Sequence, residues 1–149
     1  MKLIKAPRLN DELELIPFSN ENDKRHINYF GGVQAGFPSP AEDFIGKKIS
    51  LDEKYITKPN STYIIKIRGN SMNPTLQNGD IVIVRSDKEL QDNDIAIVSI
   101  NNSDYTVKRF DKKNSQFVPD NLKFKAIEVG DEDVVISLGI VKHLIRDFG

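Results

Sequence analysis

From residue 61 onward, short apolar runs alternate with clusters of turn formers. "STYIIKIRG" is rich in β-branched and aromatic residues, and "DIVIVRS" and "NDIAIVSI" are compact aliphatic runs closed by polar residues. Such runs predict strands. "NNSD" then leads into "YTVKRF" as a hairpin with a four-residue loop. "DKKNS" turns the chain into "QFVPDN", and "KFKAIEVGDEDVVISLGIVKHLI" supplies two more strands around the acidic turn "GDED". Strands at this spacing, with no convincing amphipathic helix between them, predict a mainly β domain of barrel or sandwich type.

Residues 1 to about 45 carry scattered apolar positions without a sustained period. In "NYFGGVQAGFPSPAEDF" two prolines, Pro38 and Pro40, bias their preceding residues toward extended backbone and cannot donate a ladder hydrogen bond. An extended arm is the expectation. Within it "SPAEDFIGKKI" suits a short helical turn, with Ser39 as cap, Pro40 at the first helical position and Glu42 and Asp43 in the first turn.

Composition narrows the functional classes. A chain of 149 residues suits one compact domain and an appendage. With 21 Lys and Arg against 22 Asp and Glu, the net charge of -1 argues against a protein that coats nucleic acid through its overall field, and no sequence-specific DNA binding is expected. No run approaches the ~18 apolar residues of a membrane span, and the start lacks a secretory signal, so a soluble, cytoplasmic protein is expected. The absence of Cys removes disulfide and thiol chemistry. His26 and His143 have no metal-ligand spacing and are given no role; no metal and no cofactor is expected.

The chemistry-bearing stretch is "RGNSMNPTLQNGDIVIV", residues 68–84, where an exposed-looking Ser71 and Met72 sit among turn formers ahead of a strand. A serine hydroxyl is a weak nucleophile unless a general base lies beside it. With histidine scarce, Lys108 in "YTVKRF" is the best candidate. Strand alternation puts Thr106, Lys108 and Phe110 on one face and Tyr105, Val107 and Arg109 on the other. An inward Lys108 is desolvated, which disfavours its ammonium form and frees the amine to accept the Ser71 proton. The competing reading makes Lys108 an ordinary edge-strand lysine and Arg109 the inward residue. Met72 reads as a core filler, Asp80 after Gly79 as a turn residue, and "GDED" as a solvated loop.

"GNSMNPTLQNGDIVIV", "YTVKRF" and "VPDN", in that order, resemble the LexA and UmuD family of self-cleaving serine-lysine peptidases. The resemblance extends from about residue 31 to the C-terminus and implies a LexA-like β domain of twisted, barrel-like sheets. It implies Ser71 as nucleophile, Lys108 as general base and the backbone N–H groups of Asn70 and Ser71 as oxyanion hole. It also implies a cut between Ala35 and Gly36, where small residues let the backbone approach Ser71 closely. Residues 1–35 would then be a removable arm and residues 36–149 the peptidase domain. "GFPSPA" is similar to UmuD-like subunits; a repressor would need roughly 60 or more residues ahead of the cut for a winged helix-turn-helix unit. Ala35 stands where UmuD has cysteine, and the arm is longer. "SMNPTL" is also similar to bacterial signal peptidases, which are membrane-anchored. The resemblance implies a homodimer, stimulation by a RecA filament on single-stranded DNA, and a Y-family polymerase catalytic subunit as partner. The alternatives are a phage or mobile-element regulator of the same family and a catalytically silent β-domain binding module.

Overall fold

In the computed structural model, residues 8–9, 11–17, 26–30 and 45–149 are described, the side chains of 26–30 and 45–49 excepted. In chain order the elements are β1 (Leu13–Ile16), β2 (His26–Phe30), β3 (Ile45–Ser50), α1 (Leu51–Tyr55), β4 (Thr62–Ile67), β5 (Ile81–Arg85), β6 (Ile95–Ile100), β7 (Thr106–Asp111), β8 (Gln116–Val118), β9 (Ile127–Glu128) and β10 (Val135–Ile145). They fall into two compact units, residues 19–59 and residues 1–18 with 60–149.

The larger unit is a single eight-stranded sheet in the order β1-β4-β5-β10-β6-β7-β8-β9. Each adjacent pair is antiparallel. The mainly β architecture read from the sequence is therefore the one observed. β10 joins the two halves. Its first part pairs with β6 and its second with β5, with register breaks at Ser137/Gly139 and Val141/His143. Gly139 is required there, because a Cβ would lie 2.6 Å from the Arg85 carbonyl oxygen.

The aliphatic runs of β5 and β6 are near-continuous because apolar residues cover both faces of these strands. One face carries Leu13, Ile65, Ile67, Met72, Leu76, Val82, Val84, Ile97 and Val107. The other carries Ala96, Val98, Phe117 and Ile140, with Phe110 stacked on Phe117 at 5.1 Å between ring centroids. In the smaller unit β2 pairs antiparallel with β3, and Ser50 caps α1 by accepting from Glu53 N–H at 3.5 Å.

Three expectations need correction. In "SPAEDFIGKKI" the residues from Ile45 form strand β3 and not part of a helical turn; the turn's first residues, with Ser39, Pro40, Glu42 and Asp43, lie outside the described residues. The β6–β7 connection is residues 101–105, one longer than "NNSD", with Asn101 and Asn102 at positive φ. Finally, the N-terminal stretch is not all arm: β1 pairs with β4 along Leu13↔Ile67 to Ile16↔Ile64, and Leu13 enters the core. Four residues of "LELI" are too short to announce a strand locally, and the β4 edge supplies the pairing.

Candidate active site

The loop between β4 and β5 that carries Ser71 is closed at its base by ladder-like bonds, Ile67 N–H to Asp80 O at 2.8 Å and Gly79 N–H to Ile67 O at 2.7 Å. Inside it the backbone coils, with Asn73 N–H on Asn70 O and Leu76 N–H on Met72 O. Met72 and Leu76 are fully buried and anchor the coil to the core, about 1.5–3 kcal/mol for each side chain. The serine that looks exposed in the sequence is 3% exposed, because its neighbour Met72 draws the turn inward.

Two further contacts fix this loop. Asp80 accepts two bonds from Arg146, each 2.7 Å, and a third from Gln77 N–H at 2.8 Å. The Arg146 guanidinium holds the Asp80 carboxyl below the ordinary carboxylate range. Asp80 is thus more than the turn residue its Gly-Asp setting suggested; its partner lies 66 positions away and has no local signature. From the other side Asn121 donates its backbone N–H to Ser71 O and its side-chain amide to Asn70 O, both at 3.0 Å. The Asn70 carbonyl shares its peptide plane with the Ser71 N–H, one of the two groups the family resemblance assigns to the oxyanion, so the Asn121 amide orients that plane; the bond to the Ser71 carbonyl fixes the next one. Asn121 is itself carried by a loop tied down through Asp120, whose carboxylate takes two bonds from Arg109 at 2.8 and 2.7 Å and is held low by them.

Lys108 lies on β7, an interior strand between β6 and β8, and is 7% exposed. The edge-strand reading of Lys108 is therefore excluded: Arg109 takes the opposite face, toward Asp120. The Lys108 amine donates to Thr106 Oγ1 at 2.9 Å, to the Val107 carbonyl at 3.0 Å and to Ser71 Oγ at 3.4 Å. Two of its three N–H directions are thus taken by fixed oxygens, so loss of the third proton leaves a lone pair aimed at Ser71. Burial pushes the Lys108 amine below the usual lysine range, and the Glu12 carboxylate, 3.9 Å away, pulls the other way.

The sequence reading placed Ser71 and Lys108 together, and so does the fold, across 37 positions. It missed Glu12, whose Oε2 accepts the Ser71 hydroxyl at 3.1 Å. Nothing local marks a glutamate 59 residues upstream as a neighbour of Ser71. Thr106 was legible through its shared face with Lys108. Ala35 and Gly36 lie outside the described residues. Among the described residues no group of three or more His, Asp or Glu is arranged to hold a metal, and no helix is long and apolar enough to cross a membrane.

The Peptidase S24-like family model matches residues 27–142. Protein ImpA of Salmonella typhimurium is 34% identical over 117 residues, covering 76% of this chain and 78% of that protein. Protein MucA of Escherichia coli is 27% identical over 118 residues, 77% and 80% of the two chains. The LexA repressor of Clostridium perfringens (strain 13 / Type A) is 31% identical over 130 residues, 85% of this chain and 64% of the repressor. The chain belongs to the S24-like peptidases, a family of self-cleaving serine peptidases, and is a UmuD-like member of it.

Proposed function

We propose that the chain is an SOS-response protein that cuts itself between Ala35 and Gly36 with Ser71 as nucleophile and Lys108 as general base. The observation that carries this reading is the 3.4 Å approach of a buried lysine amine to a buried serine hydroxyl, which a silent binding module would not need. Neutral Lys108 takes the hydroxyl proton as Ser71 Oγ attacks the Ala35 carbonyl carbon, with the N–H groups of Asn70 and Ser71 facing the oxyanion. The C–N bond breaks, the Gly36 nitrogen leaves with the proton from Lys108, and water, deprotonated by the same amine, hydrolyses the ester. The products are residues 1–35 and residues 36–149. Because the substrate is tethered, no pocket for a foreign peptide is required.

UmuD-like family membership supports the wider setting: a homodimer, stimulation by a RecA filament on single-stranded DNA through the cleavage-ready position of the arm, and service of the trimmed dimer as accessory subunit of a Y-family translesion polymerase. The test is incubation of the purified chain from neutral to alkaline pH, alone and with RecA, nucleotide and single-stranded DNA, followed by mass spectrometry. A fragment starting at Gly36, faster at alkaline pH and absent in Ser71→Ala and Lys108→Ala, is expected. A cut persisting in both variants would overturn the assignment.

A further inference from the structure

The segment leading into β1 lies across the dyad. Tyr105 N–H donates to Arg8 O at 2.6 Å and Leu9 bridges to Tyr105, just ahead of β7. Leu9 packs against the core cluster to which buried Leu13 belongs, and Arg68 N–H donates to Glu12 O at 2.5 Å. Arg68 also pairs with Glu14. Glu12 is therefore held between anchors on both sides, Leu9 and Leu13. Its side chain passes over Gly69, where a Cβ would stand 3.2 Å from Glu12 Cγ. Gly69, at φ +96°, has a backbone that favours glycine and leaves room for the glutamate.

We infer that residues 8–9 and 11–16 form a strap that latches the dyad shut, with the Glu12 carboxylate as the bolt. This inference rests on the self-cleavage reading and adds its regulation. The geometry is that of an idle enzyme. The Ser71 hydroxyl donates to Glu12 Oε2, the wrong acceptor for catalysis, while Lys108 donates to Ser71 Oγ. A scissile carbonyl must reach the same Oγ, so the carboxylate has to leave first. Glu12 also favours the charged amine, whereas catalysis needs the neutral one. Because Glu12 lies upstream of Gly36, the cut that it restrains also severs it from the domain, so the latch acts only on the intact chain.

The other groups in contact with the amine are Ser71 from the β4–β5 loop and Thr106 and the Val107 carbonyl from its own strand. Ala96 of β6 lies opposite, and Arg109 and Asp120 bond each other. None of these but Glu12 is a carboxylate facing Lys108.

The experiment compares the full chain with Glu12→Gln and Glu12→Ala. At neutral pH both variants should release the Gly36 fragment about tenfold faster or more, the size expected from losing an opposite charge within ~4–6 Å of the amine. The pH–rate curve should move to lower pH in both. A rate unchanged or lowered would overturn the latch, and a lowered one would make Glu12 an orienting group. A second readout does not depend on cleavage. In the Ser71→Ala background the Lys108 Cε resonance, assigned with Lys108→Arg, is titrated by NMR with and without Glu12→Gln. A lower midpoint in the glutamine variant supports the latch and an unchanged one overturns it, even where the wild-type chain proves not to cut at Ala35–Gly36.

Discussion

Two charged side chains are buried around the Ser71 loop, and the fold treats them in opposite ways. Asp80, 2% exposed, faces a guanidinium that grips both carboxylate oxygens, and a backbone N–H adds a third bond. Lys108, 7% exposed, meets two neutral oxygens and a hydroxyl, with its carboxylate neighbour at 3.9 Å rather than in close contact. The first charge is compensated and therefore fixed; the second is under-compensated and therefore adjustable. A scaffold needs the former and a proton acceptor needs the latter.

The sharpest break in that comparison is Lys108→Met, which keeps the apolar stem and removes the proposed base. Self-cleavage should fall by about 10²–10⁴ or more, the usual contribution of a general base, while the far-UV circular dichroism stays that of the folded chain. Loss of fold instead would mean that Lys108 is structural. Next in size is Asp80→Ala, which leaves Arg146 and Gln77 N–H without their acceptor. Urea unfolding should show a loss of about 2–4 kcal/mol.

The pH dependence separates the two sites by sign. The folded-state value of Lys108 is below its unfolded value, so the cost of burying its charge is fully present below the folded value and disappears as pH rises from there toward the ordinary lysine range. In a Ser71→Ala background, stability relative to Ser71→Ala/Lys108→Met should therefore improve with pH over that window. For Asp80 the folded value is depressed; its contribution is complete above the ordinary carboxylate value and is lost as pH falls through the folded one. Urea midpoints measured at acid and alkaline pH check both; equal slopes for the variants and their parents would remove the contrast.

The legible parts were those with local signatures. Strands β4 to β10 followed from aliphatic runs between turns, and Ser71 and Lys108 from a motif and an alternation. Glu12, the Asp80–Arg146 pair and β1 were not legible, because each is created by pairing with residues far along the chain, and a lone Glu, Asp or "LELI" has no local pattern that demands it. The buried state of Ser71 escaped for a related reason. Turn composition predicts exposure, but Met72 and Leu76 one helical turn apart pull the turn into the core.

The smallest expected effect concerns Asn121, whose two bonds to the Asn70 and Ser71 carbonyls are neutral and partly exposed. Asn121→Ala removes the amide's bond to Asn70 O and the bond its Oδ1 accepts from Lys123 N–H, while its backbone N–H still donates to Ser71 O. The stability loss should be about 1 kcal/mol or less. If the Asn70 carbonyl sets the peptide plane whose N–H meets the oxyanion, cleavage should slow by more than stability alone explains, roughly threefold to tenfold on the alkaline plateau of the pH–rate curve. Measuring there isolates positioning from base ionisation. A rate equal to that of the wild-type chain at alkaline pH would assign Asn121 to loop stability and leave the orientation of the nucleophile to Met72, Leu76 and the Asp80–Arg146 pair.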